Sequence, residues 1–188
     1  MNMNPHDTVM PILTTMLHNL QHFLQRAEAD GHARGYDTQV LMQSRLAPDM
    51  LSLAGQVRYA CISAKGGAAK LSGAVVPAYD PNDDATLAAA QVRITDTLSW
   101  LAALPQPAAS SGADGYTVKV GPDLKHTFSG PDFAKHWVLS HFHFHVAMAY
   151  ALLRHNGVAL GKADYIWGAL KPAVDSAAAT AGCAPAVR

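Results

Sequence analysis

The segment His141-Phe142-His143-Phe144-His145 puts three imidazoles into five residues, a density suited to metal ligation, proton transfer or a polar anchor. Secondary structure decides among these. On a strand all three rings would share one face, whereas on a helix His141 and His145 lie one turn apart and His143 turns nearly opposite. The flanks predict a helix. Ser129-Gly130-Pro131-Asp132 supplies a capping hydroxyl, a proline where no intrahelical N–H is needed, and a carboxylate at the positive end of the dipole. The apolar run continues through Trp137, Leu139, Met148, Leu152 and Leu153, too long for a strand. It ends at Arg154-His155-Asn156-Gly157, where basic residues meet a left-handed cap. His141 and His145 thus form a His-x-x-x-His pair on a stripe with Val138, Phe142, Ala149 and Leu152, predicted to face the interior of a bundle. Two chemistries stay open for the pair. One is ligation of a divalent ion, and the other is hydrogen bonding of buried imidazoles to Gln56, Asp49, Tyr59 or a trapped water. A zinc-protease pattern is disfavoured, because Phe142 stands where its glutamate would follow His141.

The other histidines carry less. His18 and His22 repeat the spacing of four, but they share the polar side of the first helix with Thr15, Asn19, Gln25 and Arg26, where solvation is expected. His136 and His143 fall near Tyr150 and Arg154 on another side of the fourth helix, as a rim or subunit contact. His155 caps a helix end, and His6, His32 and His126 lie in a terminus and loops.

Four helices must position these groups. The first runs over about residues 8–29, with Val9, Leu13, Met16, Leu17, Leu20, Phe23, Leu24 and Ala27 at spacings of three and four. Pro48-Asp49 opens the second, whose stripe is Met50, Leu53, Val57, Cys61, Ala64, Ala68 and Leu71, with Gly66-Gly67 loosening its last turns. Asp83-Asp84 precedes the third, in which Leu87, Ala90, Ile94, Leu98 and Leu101 share a side before Pro105 ends it. The histidine helix is the fourth. Residues 72–83, fully extended, reach roughly 40 Å, about a helix length, so a crossover can leave helices two and three parallel. Tyr116-Thr117-Val118-Lys119-Val120, then Gly121-Pro122-Asp123 and Lys125-His126-Thr127-Phe128, predict a small β-hairpin capping the bundle. One short helix is expected around Gln39, and a packed segment from Gly161 through Trp167.

Length and charge exclude several classes. The 188 residues suit one core, read as a single domain over 1–170 followed by an Ala-rich, mobile tail over 171–188. Lys plus Arg and Asp plus Glu each total 14, leaving no basic field for nucleic acid. The opening residues lack a charged n-region and a secretory apolar core, and no stretch is apolar enough to span a bilayer. A soluble cytoplasmic protein is expected. The two cysteines, Cys61 in a helical pattern and Cys183 in the tail, form no disulfide framework, and Cys61 reads as a small buried hydrophobe.

Several segments together carry a family resemblance. They are Arg45-Leu46-Ala47-Pro48-Asp49-Met50, then Gln56-Val57, then Phe142 to His145 with Ala149-Tyr150-Ala151-Leu152-Leu153-Arg154-His155-Asn156-Gly157-Val158, and Leu160-Gly161-Lys162-Ala163-Asp164-Tyr165. With them the chain resembles domain-of-unknown-function family 1993, within the DinB/YfiT-like metalloenzyme superfamily. The resemblance implies an all-α four-helix bundle in up-down-down-up order, commonly a homodimer, with the hairpin between helices three and four. It also implies a divalent metal, zinc or nickel, bound by a helix-two histidine and a His-x-x-x-His pair on helix four. His141 and His145 match that pair, but helix two has no histidine, and its nearest polar candidates are Gln56 and Tyr59. The narrower family reads Pro-Asn-Phe-Tyr-Phe-His where this chain reads Ser140 to His145, so only His145 follows the narrower pattern.

Two functions from different classes follow. In one, His141 and His145 hold an ion for metal-assisted transferase or isomerase chemistry, with Gln56, Tyr59 or Asp49 lining the cavity. In the other, the chain is a non-catalytic dimeric bundle whose degenerate site binds a small molecule or partner. Helix four supports dimerisation in both, because Trp137, Phe144, Met148 and Ala151 flank the histidine stripe with more apolar surface than one stripe buries.

Overall fold

The computed structural model describes residues 4–78, 80–105, 107 and 115–167. The expected tail over 171–188, with Cys183, lies outside the described residues. Helix α1 spans Pro5–Arg34, opened by Asn4, whose side chain accepts from the His6 N–H at 3.0 Å. A short α2, Gln39–Met42, falls where one was expected. Helix α3 covers Leu53–Ser72 and α4 covers Leu87–Ala102. The hairpin forms as read, β1 (Tyr116–Lys119) antiparallel to β2 (Lys125–Phe128), with Tyr116 opposite Phe128 and Lys119 opposite Lys125.

The histidine helix is less uniform than its sequence suggested. A single turn, α5 (Gly130–Asp132), leads into a π-helical stretch over Phe133–Leu139 and then into α6, Ser140–His155. The Ser140 hydroxyl reaches back five residues to the Lys135 carbonyl at 3.0 Å, as a widened coil allows. Helix α7, Lys162–Trp167, ends the described chain.

Side-chain pairs set the helix directions. Gln56 meets His145, and Gly67 meets Val138, so α3 and α6 run antiparallel. Phe23 packs on Tyr150 and Arg34 reaches the Asn156 carbonyl, so α1 and α6 run parallel. Between them lies one core, centred on Leu13, Leu17, Leu20, Phe23, Leu53, Val57, Ile94, Phe142 and Leu152, each buried as its helical stripe requires. The hairpin closes one end of this core. Val118 is buried, and Tyr116 stacks on Phe133 with ring centroids 4.6 Å apart.

Two boundaries differ from expectation. Helix α3 begins at Leu53, because the Ser52 hydroxyl takes the Gly55 N–H and acts as the N-cap. Pro48 and Asp49 instead lie in a turn closed by the Met50 N–H on the Ala47 carbonyl, and Arg45 donates to the Met50 carbonyl across that turn. Nor do Gly66 and Gly67 loosen the helix, which continues to Ser72 and stops at Gly73 in the left-handed region at φ 71°. Gly67 is where α3 comes closest to the π-helical stretch, and a Cβ there would sit inside Val138.

Candidate functional site

His145 sits on α6 facing Gln56 of α3, and the two side chains fix each other. The Gln56 amide nitrogen donates to the Leu51 carbonyl at 3.4 Å, which turns its oxygen toward His145 Nδ1 at 2.8 Å. An amide oxygen can only accept, so Nδ1 carries the proton and Nε2 keeps the ring's lone pair. Gln56 is 1 % exposed and is one of the hydrogen-bond partners the sequence offered for these imidazoles. Burial, with a smaller contribution from the neighbouring His141, pushes the His145 imidazole down to about 4. It is therefore neutral at physiological pH.

His141 is arranged likewise one turn earlier. Its Nδ1 lies 2.8 Å from the Trp137 carbonyl, an acceptor, so Nδ1 carries a proton and Nε2 points away from that bond. The rings of Trp137 and His141 are 4.2 Å apart. The interior placement expected for the pair is only half right. His145 is half-buried, but His141 is exposed, because within α6 the buried face is Phe142, Val146, Ala149 and Leu153 and His141 stands at its edge.

Both imidazoles line a groove of about 400 Å³ between α3 and α6, within the range of small-molecule sites. Its walls are chiefly Leu51, Ile62, Val76, Phe133, Trp137 and Val138. Tyr59, 37 % exposed, packs its ring 5.4 Å from that of His145, with Arg58 over its other side at 4.6 Å and Asp83 paired to Arg58 at 2.7 Å. Tyr59 is thus a lining residue as expected. Asp49 and Gln56 are not: Asp49 is exposed in the turn before α3, Gln56 is buried behind His145, and neither borders the groove. Gly66, Gly67, Lys70 and Val76 do line it, and sequence reasoning missed all four. The paired glycines in the middle of an apolar helix were the one signal that could have pointed there.

Cys61 is inert in this setting. Burial pushes its thiol up to about 11, so it stays protonated beside Thr97.

His22 corrects another expectation. It is not solvated: its Nε2 lies 2.9 Å from Asp164 Oδ1 of α7, with side-chain exposures of 17 % and 13 %. Asn19 adds bonds to the Tyr165 and Ile166 carbonyls at 2.9 and 3.3 Å, so this polar face of α1 holds the C-terminal segment.

A divalent ion held as in the wider superfamily needs a third side chain from the helix facing His145. Helix α3 offers no histidine, and Gln56 already gives its oxygen to His145 Nδ1. Among the described residues no three His, Cys, Asp or Glu side chains gather into a metal-holding group. Two imidazole nitrogens fall one short of the three protein ligands that catalytic zinc sites use, so the set present does not fit such an ion.

The comparisons agree with this architecture. The family described as Domain of unknown function (DUF1993) matches residues 6–166. The chain belongs to that family. The DUF1993 match takes in every helix that builds the groove, together with the hairpin. A crystal structure of a DinB family member protein from Shewanella denitrificans is 34 % identical, with a TM-score of 0.75, and the alignment covers 86 % of this chain and 90 % of that one. No curated protein matches. No helix among the described residues is long and apolar enough to cross a membrane. Within this DUF1993 chain, the motif residues that first suggested the family have visible structural roles. Arg154 donates to the Val158 carbonyl at 3.2 Å, Asn156 donates to the Leu152 carbonyl at 2.8 Å, and Gly157 turns the chain at φ 88°.

Proposed function

We propose that the protein binds a small molecule in the α3/α6 groove and does not transform it, acting as a homodimeric bundle. The observation that carries this reading is the Gln56–His145 hydrogen bond at the groove wall. It spends the Gln56 amide oxygen on His145 and leaves a neutral imidazole as a fixed acceptor among mostly apolar walls. Such a site is a mostly apolar cleft with a few placed polar groups, the usual composition of a small-molecule pocket. The up-down-down-up order is supported at three of its helices, α1 and α6 running parallel with α3 opposed to both. Phe144, 52 % exposed on α6, supports a second copy packing against that helix.

The second reading, zinc or nickel on His141 and His145 serving transferase or isomerase chemistry, is favoured by one observation. Both rings hold Nδ1 against an oxygen acceptor and turn Nε2 away from it, the orientation metal-bound histidines commonly have. Elemental analysis of protein purified without a nickel column separates the two. Substoichiometric metal, with His145→Ala losing stability, supports the binding module. Stoichiometric metal that disappears in His145→Ala at an unchanged melting temperature overturns it.

A further inference from the structure

The groove is polar at both ends, and the two ends differ in kind. At one end stand His145 and His141, each with its Nδ1–H already committed to an oxygen, together with the Tyr59 and Ser63 hydroxyls. No Lys or Arg of the groove lining stands at that end. At the other end, Lys70 of α3 reaches the groove beside Phe133 and donates to the Thr117 carbonyl of the hairpin at 3.0 Å. Among the described residues no carboxylate pairs with Lys70, and none lines the groove. An ammonium has three donors, and a backbone carbonyl uses one of them. From Lys70 to Ser63, opposite His141, is two helical turns, about 10 Å along α3. That interval is walled by Gly66, Gly67, Val76 and Val138, with no polar side chain between. Gly66 deepens it, since a Cβ there would meet nothing within 4 Å.

Resting on the binding-groove reading, we infer that the ligand is an elongated apolar monocarboxylate. Its carboxylate pairs with Lys70 and its hydrocarbon body lies over Gly66 and Gly67 toward the imidazole end. Charge complementarity selects this class: the described residues lining the groove include one lysine and no carboxylate, with an apolar span between Lys70 and the imidazoles. A neutral alcohol of the same length gains only the apolar contacts, and an amine meets the Lys70 ammonium with like charge.

Calorimetric titration of the full chain with octanoate, octan-1-ol and octylamine at one pH and ionic strength tests this. The expected order is octanoate tightest and octylamine weakest. Lys70→Met should weaken octanoate by about tenfold or more and leave octan-1-ol unchanged. Gly66→Leu, which fills the groove, should abolish binding of all three. Val76→Trp does the same from the opposite wall, outside any helix, and serves if the first variant does not fold. If octanoate and octan-1-ol bind equally and Lys70→Met changes neither, the carboxylate assignment is wrong and the groove reading stands. If none binds, or neither filling variant affects binding, both fail.

Discussion

Gln56 Oε1 and His145 Nδ1, 2.8 Å apart across the α3/α6 seam, join two residues separated by 89 positions. Gln56→Leu removes the acceptor and leaves the imidazole N–H facing an apolar side chain. The expected cost is about 1–3 kcal/mol, the penalty of an unsatisfied, largely buried donor. Urea unfolding measures it, and a loss below a few tenths of a kcal/mol would contradict the geometry.

His145 also makes stability depend on pH. Its imidazole is held at about 4 when folded, against 6.5 when unfolded. Between those values the unfolded chain binds the extra proton, so this contribution is complete above about 6.5 and is lost as pH falls toward 4. His145→Gln should therefore show a shallower decline in unfolding free energy between pH 7 and 4.5. Parallel curves for the two proteins would remove His145 as the source.

Adjacent glycines should respond oppositely to the same change. Gly66→Ala places a methyl in open space and restricts the unfolded chain, raising stability by about 0.5–1 kcal/mol. Gly67→Ala drives its methyl into Val138 and should cost about 1–3 kcal/mol. Thermal denaturation of the two variants in parallel reads the difference in sign.

Asp164 anchors α7. Burial alone would raise its carboxyl, but hydrogen bonds from His22 and the Gly161 N–H outweigh that and hold it below the usual carboxylate range. Asp164→Ala should release α7 from α1 at a cost of about 1–3 kcal/mol. Amide exchange should accelerate over residues 161–166 ahead of the core, whereas unchanged protection there would mean that α7 is held by other contacts.

Dimerisation through α6 is expected to appear in sedimentation at micromolar concentration. Phe144→Glu, at a site already half open to solvent, should yield a folded monomer. A monomeric parent protein would end that proposal.

Much of this was legible before any coordinates. Stripes such as Leu13-Leu17-Leu20-Leu24 and Val57-Cys61-Ala64-Ala68 state their buried face directly, and the alternation over 116–120 states a strand. The site was less legible. Its decisive contact depends on which residues of α3 lie opposite α6, a relation that local period does not encode. The same limit hid the His22–Asp164 pair, since a polar helical face looks identical whether water or another segment covers it. The exposure of His141 was lost for a different reason: it stands at the edge of the stripe Phe142, Val146, Ala149 and Leu153, where spacing alone does not separate rim from interior, and the widened turn before it leaves that stripe in register.

That widened turn leaves the chain with a spare residue. Removing one residue from a regular α-helix rotates everything beyond it by about 100°, which ahead of His141 would carry the imidazoles off the seam. Removing one from Phe133–Leu139 can be absorbed by rewinding that stretch to α-helical pitch, with Ser140 onward still in register. Chain length can therefore change by one within that stretch while the Gln56–His145 contact is kept.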